Sequence, residues 1–386
     1  MRRILPWVSL LALLSLGCGS DESSPDVNAA PLTGNGTGSA GSDGAAGAGA
    51  AGAAANTGGS AGAAAIEEAP LPTSGIPLLA AQDVAKPAGT PGNLKVLDWA
   101  GFKAAVSYTF DDTNRSQIKH YPELQALGVH YSFYLITSRA ESLDPIWKQA
   151  VMDGHEVANH TQSHIQTGDV ATLGADTDAG DTFLKNNVGV TVYTMAAPYG
   201  TATYADVART RYLINRGVGD GLITPNGAND PFNLNCWIPN ANTPATGAGG
   251  FNAKIDAAYA AGAWQTILVH GFTDMDAAEG AYNPVDFNEF VAGVNYSKSL
   301  GDLWIDSLVN VGAYWLGAKA FNATPPTTSG DTTTWTWTLP DHFPPNKYLR
   351  VTVDGGTLVQ NDKALPWDPH GYYEVALDAK SLQLMP

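Results

Sequence analysis

Between Asp98 and Ala320, short apolar runs alternate with stretches of helical spacing, and this alternation limits the possible folds more than any other feature of the chain. Residues 104–110, 129–136, 156–159, 190–197 and 266–269 read as strands. Residues 121–127, 145–153, 251–261, 284–294 and 303–319 carry apolar residues at helical spacing. Strands joined through helices pair in parallel, because each crossover returns the chain to the same end of the sheet. The expected class is therefore α/β, with a mainly parallel sheet or barrel over 93–322.

The ends differ from this part. Arg2 and Arg3 precede an apolar run over 4–16, which ends at Gly17-Cys18-Gly19-Ser20. That order predicts an export signal over 1–18, too short to span a bilayer comfortably. Ser15-Leu16-Gly17-Cys18 resembles a bacterial lipobox, which implies lipidation at Cys18 and attachment to the cell envelope, with the outer membrane or cell surface favoured. Residues 34–65 are almost wholly Gly, Ala, Ser, Asn and Thr and bury too little to offset their ordering entropy. A disordered tether over 19–92 is expected. Gly58-Gly59-Ser60-Ala61-Gly62 inside it matches G-x-S-x-G, but no strand leads into it and no amphipathic helix follows. Beyond Phe321 the pattern becomes period-two and rich in turns, which predicts a small β region over 327–386. There Trp335 and Trp337 share one face of a strand, either packed on the barrel or open as a platform for sugar rings.

The formal charge is −17, which argues against nucleic acid or another anionic polymer as partner. Cys18 and Cys236 are the two cysteines. If Cys18 is lipidated, stability rests on the core rather than on an intrachain disulfide. A monomer is expected.

The chemistry lies where strands end. Residues 104–110 run into Asp111-Asp112, where neighbouring carboxylates point apart, so that one can bind a metal while the other acts as a base. Residues 156–159 run into His160-Thr161-Gln162-Ser163-His164, two histidines spaced to face one ion. His155-Glu156 is not a zinc-peptidase motif, since Asn159 stands where the second histidine would be needed. Ala197-Pro198-Tyr199-Gly200 and His270 close two further strands. Taken singly, each motif also reads as a turn or a structural histidine. Together they would meet on one rim of a parallel barrel.

On these motifs and their order, 98–320 resembles the NodB-type polysaccharide deacetylases, carbohydrate esterase family 4. The resemblance implies a distorted (β/α)7 barrel with the β region appended. It also implies one divalent metal, zinc or else cobalt or another ion, on Asp112, His160 and His164. By the same resemblance Asp111 is the catalytic base, His270 the general acid, and Tyr199 the donor of an oxyanion-binding N–H. Pro198 and Trp237 are expected to touch substrate. The implied partner is an acetylated carbohydrate polymer such as chitin, peptidoglycan or acetylated xylan. Two departures stand out. Ala196 occupies the place of an arginine that orients the base, and Asn233 and Cys236 occupy the places of the acids in the motif that supports it. A weakened carbohydrate-binding protein and a small-molecule amidase are the competing readings.

Overall fold

The computed structural model of this chain describes residues 66–386 apart from Asp276, Ala277 and Glu279. The export signal, Cys18 and the Gly- and Ala-rich tract up to 65 lie outside the described residues. Among the described residues no helix is long and apolar enough to cross a membrane.

The first strand, β1 (Lys95–Val96), belongs to a C-terminal sheet. The parallel sheet begins with β2 (Ala104–Phe110), whose seven residues are all buried. It continues through β3 (Ser132–Leu135), β4 (Glu156–Asn159), β5 (Thr194–Ala196), β6 (Ile214–Arg216), β7 (Trp264–Val269) and β8 (Leu303–Ile305). The spatial order is β6-β5-β4-β3-β2-β7, and β8 pairs with the start of β2. All these pairings are parallel, and central strands covered on both faces explain the near-continuous apolar runs.

β6 and β7 do not pair directly, and residues 234–237 bridge the gap. Leu234 N–H donates to Asn215 O (3.1 Å) and Cys236 N–H to Gly219 O (2.9 Å), both beside β6. Trp237 N–H donates to Thr266 O (3.0 Å) on β7. The fold is thus a distorted α/β barrel with one irregular wall.

Several elements differ from the sequence expectation. Residues 303–319 divide into β8 and a helix over Leu308–Asn322. The break occurs where Asp306 Oδ1 accepts from Ser307 N–H and Leu308 N–H donates to Ser132 Oγ. The helix Val170–Phe183 gives no apolar stripe in the sequence, because it buries Leu173 alongside Gly174, Thr177 and Gly180. β6 is only three residues long and ends in a charge, so apolar periodicity misses it.

The C-terminal region comprises β9 (Thr327–Ser329), β10 (Thr332–Thr336), β11 (Tyr348–Thr352), β12 (Thr357–Gln360), β13 (Lys363–Ala364), β14 (Tyr373–Ala376) and β15 (Ser381–Met385). These strands form two antiparallel sheets, β1-β11-β14 and β13-β12-β15-β10-β9. One apolar core joins Trp264, Trp304 and Trp315 of the barrel to Leu349, Val351 and Val375 of these sheets. Trp337 is buried, donates to Leu377 O (2.9 Å) and packs on Phe321, against which Trp335 also stacks. The pair is a packing contact and not an open sugar platform, because strands this few need a partner surface.

A tether running to residue 92 is also corrected. Ala69 N–H donates to Ala364 O (2.8 Å), Val84 N–H to Pro369 O (2.8 Å) and Gly89 N–H to Asp354 O (2.9 Å). Backbone bonding to the C-terminal strands and loops orders this stretch, which is why its side chains gave no sign of it.

Candidate metal centre and acid–base site

The functional side chains gather where the parallel strands end. β2 delivers Asp111, and the backbone then turns through the left-handed region at Asp112 (φ 71°) and Thr113 (φ 57°). That turn separates the two carboxylates. Thr113 Oγ1 secures it by accepting from Ile136 N–H (2.8 Å). β4 delivers His160, and Thr161 (φ 65°) and His164 (φ 53°) fold the following loop back. Asn159 Oδ1 accepts from Thr161 N–H (2.6 Å), and Thr161 Oγ1 accepts from His164 N–H (3.0 Å).

Asp112, His160 and His164 come together as expected. The two Nε2 atoms lie 3.1 Å apart, and Asp112 Oδ1 is 3.4 Å from one and 3.6 Å from the other. Ligands about 2.05 Å from a tetrahedral ion are separated by about 3.3 Å, so the triangle fits one face of such a site. His160 Nδ1 donates to Ala196 O (2.9 Å), which leaves the Nε2 lone pair for the site. Asp112 Oδ1 is buried without a hydrogen-bond partner, as suits a group reserved for a cation.

The electrostatics agree. Burial would raise the Asp112 carboxyl, but His160, His270 and His164 outweigh it and hold the group well below the usual carboxylate range. Burial together with the charge of His160 pushes His164 down to about 4. His160 is raised, since Asp111 and Asp112 outweigh the burial that opposes its charge. At most one proton fits between the two facing Nε2 atoms, and a cation would displace it.

Asp111 lies beside this triangle, with Oδ2 3.6 Å from His160 Nε2. Its other partner is a residue the sequence reading missed. Arg216 ends β6 in register with Ala196, is fully buried, and donates from Nη2 to Asp111 Oδ2. Its Nη1 donates to Gly217 O (2.9 Å), and its guanidinium lies over the Tyr134 ring. The arginine absent at Ala196 is therefore supplied by the neighbouring strand. Cys236 Sγ lies 3.9 Å from Arg216 Nη1, but burial pushes the thiol up to about 11, so it stays neutral. Asp111 is then the carboxylate that answers Arg216. The one sequence sign of Arg216 was a charge two places after the apolar pair Leu213-Ile214, at the same rim as the other motifs.

His270 is buried at the end of β7, with Nδ1 unpartnered and its backbone carbonyl held by Asn114 Nδ2 (2.6 Å) and Gln117 Nε2 (2.9 Å). Burial lowers its pKa more than the two nearby acids raise it. Tyr199 sits in a left-handed turn (φ 55°) with its exposed ring over His164. The N–H groups of Gly200 and Thr201 close that turn onto Ala197 O and Pro198 O, and the Tyr199 N–H takes no part in the closure.

A cavity of about 560 Å³ joins these groups, with Arg139 and Tyr282 also in its wall. Two expected substrate contacts are not in that wall. Pro198 is buried beneath the turn. Trp237 packs on Phe251, and Ile238, the next residue along the bridging segment, faces the cavity instead.

The sequence profile of the family described as polysaccharide deacetylase matches residues 101–213, which ends before Arg216 and His270. Among curated proteins, none matches the chain. Similar solved structures include the Xyl-CE4 domain of a multidomain xylanase from the hindgut metagenome of Trinervitermes trinervoides, 18% identical, covering 54% of this chain and 89% of that one, with a TM-score of 0.36. A peptidoglycan deacetylase from Bacillus subtilis is 16% identical over 54% of this chain and 89% of its own, with a TM-score of 0.35. A family 4 acetyl xylan esterase from Clostridium thermocellum, in complex with a cobalt ion, is 19% identical over 54% and 89%, with a TM-score of 0.36.

Proposed function

We propose that this chain, whose residues 101–213 match the polysaccharide deacetylase family of hydrolases, removes acetyl groups from a carbohydrate polymer with the help of one divalent metal. The observation that carries this reading is the triangle of Asp112, His160 and His164 with Asp111 alongside it.

A divalent ion such as zinc, held by these three ligands, would polarise an acyl carbonyl and make bound water acidic. Asp111 takes the water proton. Arg216 pins its Oδ2, while Oδ1 is without a hydrogen-bond partner and free to accept. The Tyr199 N–H is available to the oxyanion that develops on the acyl oxygen. His270 delivers a proton to the departing sugar nitrogen or oxygen, and its lowered pKa makes its protonated form a ready donor. The alternative of a weakened, binding-only protein rested on a missing guanidinium beside Asp111, and Arg216 removes that support.

Acetate release should be measured on chitin oligomers, acetylated xylan and peptidoglycan, with metal content determined in parallel. Asp111→Asn should lower turnover by roughly 10²- to 10⁴-fold while metal is retained. His164→Ala should lose the metal. Unchanged metal stoichiometry in His164→Ala, or near-normal turnover in Asp111→Asn, would overturn the assignment.

A further inference from the structure

We infer that Arg139 reads a carboxylate on the sugar unit being deacetylated, so that the substrate is an acetylated sugar bearing an acid group on or beside its ring. This rests on the deacetylase reading above. Arg139 lines the cavity, half-buried. Its Nη1 donates to Asn114 Oδ1 (3.1 Å), and its Nε lies 3.7 Å from Glu141 Oε2. No acceptor for Nη2 is found among the described residues.

Asn114 sets where this guanidinium stands. Asn114 Nδ2 donates to the His270 carbonyl (2.6 Å), so Arg139 lies on the His270 side of the cavity. His270 is the group that meets the leaving atom of the sugar. A substrate with its acyl carbon at the triad therefore turns its ring towards Arg139. A planar guanidinium held at Nη1 by Asn114, with Nε towards Glu141, presents Nη2 in a fixed plane, where it can donate to a carboxylate.

Charge within the wall points the same way. Asp111 is answered by Arg216, and Asp112 belongs to the cation site it shares with His160 and His164. Arg139 has its carboxylate, Glu141, outside the wall and at Nε, so the Nη2 end of the guanidinium is the part that meets the cavity without an acceptor among the described residues. The net charge of −17 still disfavours a densely anionic polymer. At physiological salt, however, exposed charges beyond about 8 Å are largely screened, so a single carboxylate responds to the wall it meets.

The test compares wild type with Arg139→Met on two matched pairs of oligomers. One pair is N-acetylated amino sugars with and without an O-linked lactyl carboxylate. The other is O-acetylated xylo-oligosaccharides carrying a uronate or its reduced, neutral form. Acetate release gives kcat/KM, and calorimetry gives binding of the same four compounds to metal-free protein. Wild type should prefer the charged member of one pair by roughly tenfold to a hundredfold, the range of one charged hydrogen-bonded contact. Arg139→Met should lose that preference in both measurements, and the responding pair identifies the source of the carboxylate. Equal losses on charged and neutral members would reduce Arg139 to a support for Asn114 and overturn the inference, as would a wild type without preference. If loaded protein releases acetate from none of the four, the deacetylase reading fails separately, and the calorimetry still decides the role of Arg139.

Discussion

The two ends of the barrel use the same residue types and treat them oppositely. Arg350, on β11, is fully buried, and all three of its side-chain nitrogens are engaged: Nε donates to Glu374, Nη1 to Pro77 O and Ala100 O, and Nη2 to Ile76 O. Arg216, at the other end, is equally buried but leaves Nε without a partner, as Asp111 leaves Oδ1. The histidines flanking β4 repeat the contrast. His155, before the strand, accepts from Tyr131 N–H at Nδ1 (3.0 Å) and so donates from Nε2 to Gln125 (2.7 Å). His160, after it, donates from Nδ1 and keeps Nε2 for the site. A buried polar group without a partner costs stability, so unpaired atoms concentrated at one end mark where an outside partner completes the set.

This contrast can be broken most forcefully at Arg350. Arg350→Met strands Glu374 and three carbonyls, and should cost about 3–5 kcal/mol in chemical denaturation with little change in kcat below the melting temperature. A large loss of kcat at unchanged stability would mean that the two ends are not separate. Arg216→Lys keeps the charge but not the fork, and should lower kcat by about tenfold to a hundredfold at nearly constant KM. A change confined to KM would place Arg216 among the substrate contacts and not behind Asp111.

His155 sharpens the comparison through pH. Burial lowers its pKa from the ordinary 6.5 to about 4, so the unfolded chain binds the proton more readily between those values. Its contribution is complete above pH 6.5 and is lost as pH falls towards 4, with a slope on the order of 1 kcal/mol per pH unit. His155→Gln should flatten that slope in denaturation curves taken across the window on metal-free protein. An unchanged slope would assign it to other groups.

The motifs were legible because each stands at the end of an apolar run and falls within a few residues of its partner. Asp111-Asp112 and His160-x-x-x-His164 needed only the rule that parallel strands end on one rim. Arg216 was not legible, since its role depends on β6 lying next to β5, and a three-residue strand leaves almost no periodic trace. Trp237 misled for a related reason. In the bridging segment its side chain is turned towards Phe251, and only the register with β7 reveals that.

Local pattern alone settled the alternation of strands and helices, and with it the parallel sheet and the rim where the acids and histidines meet. Strand adjacency settled what stands behind them: an arginine supplied by the next strand, a neutral thiol where an acid was expected, and an N-terminal stretch ordered by sheets more than 250 residues further along the chain. The reason is physical. Periodicity records which face of an element is buried, whereas a long-range ion pair or a backbone bond to a distant strand leaves no mark on the residues between its two ends.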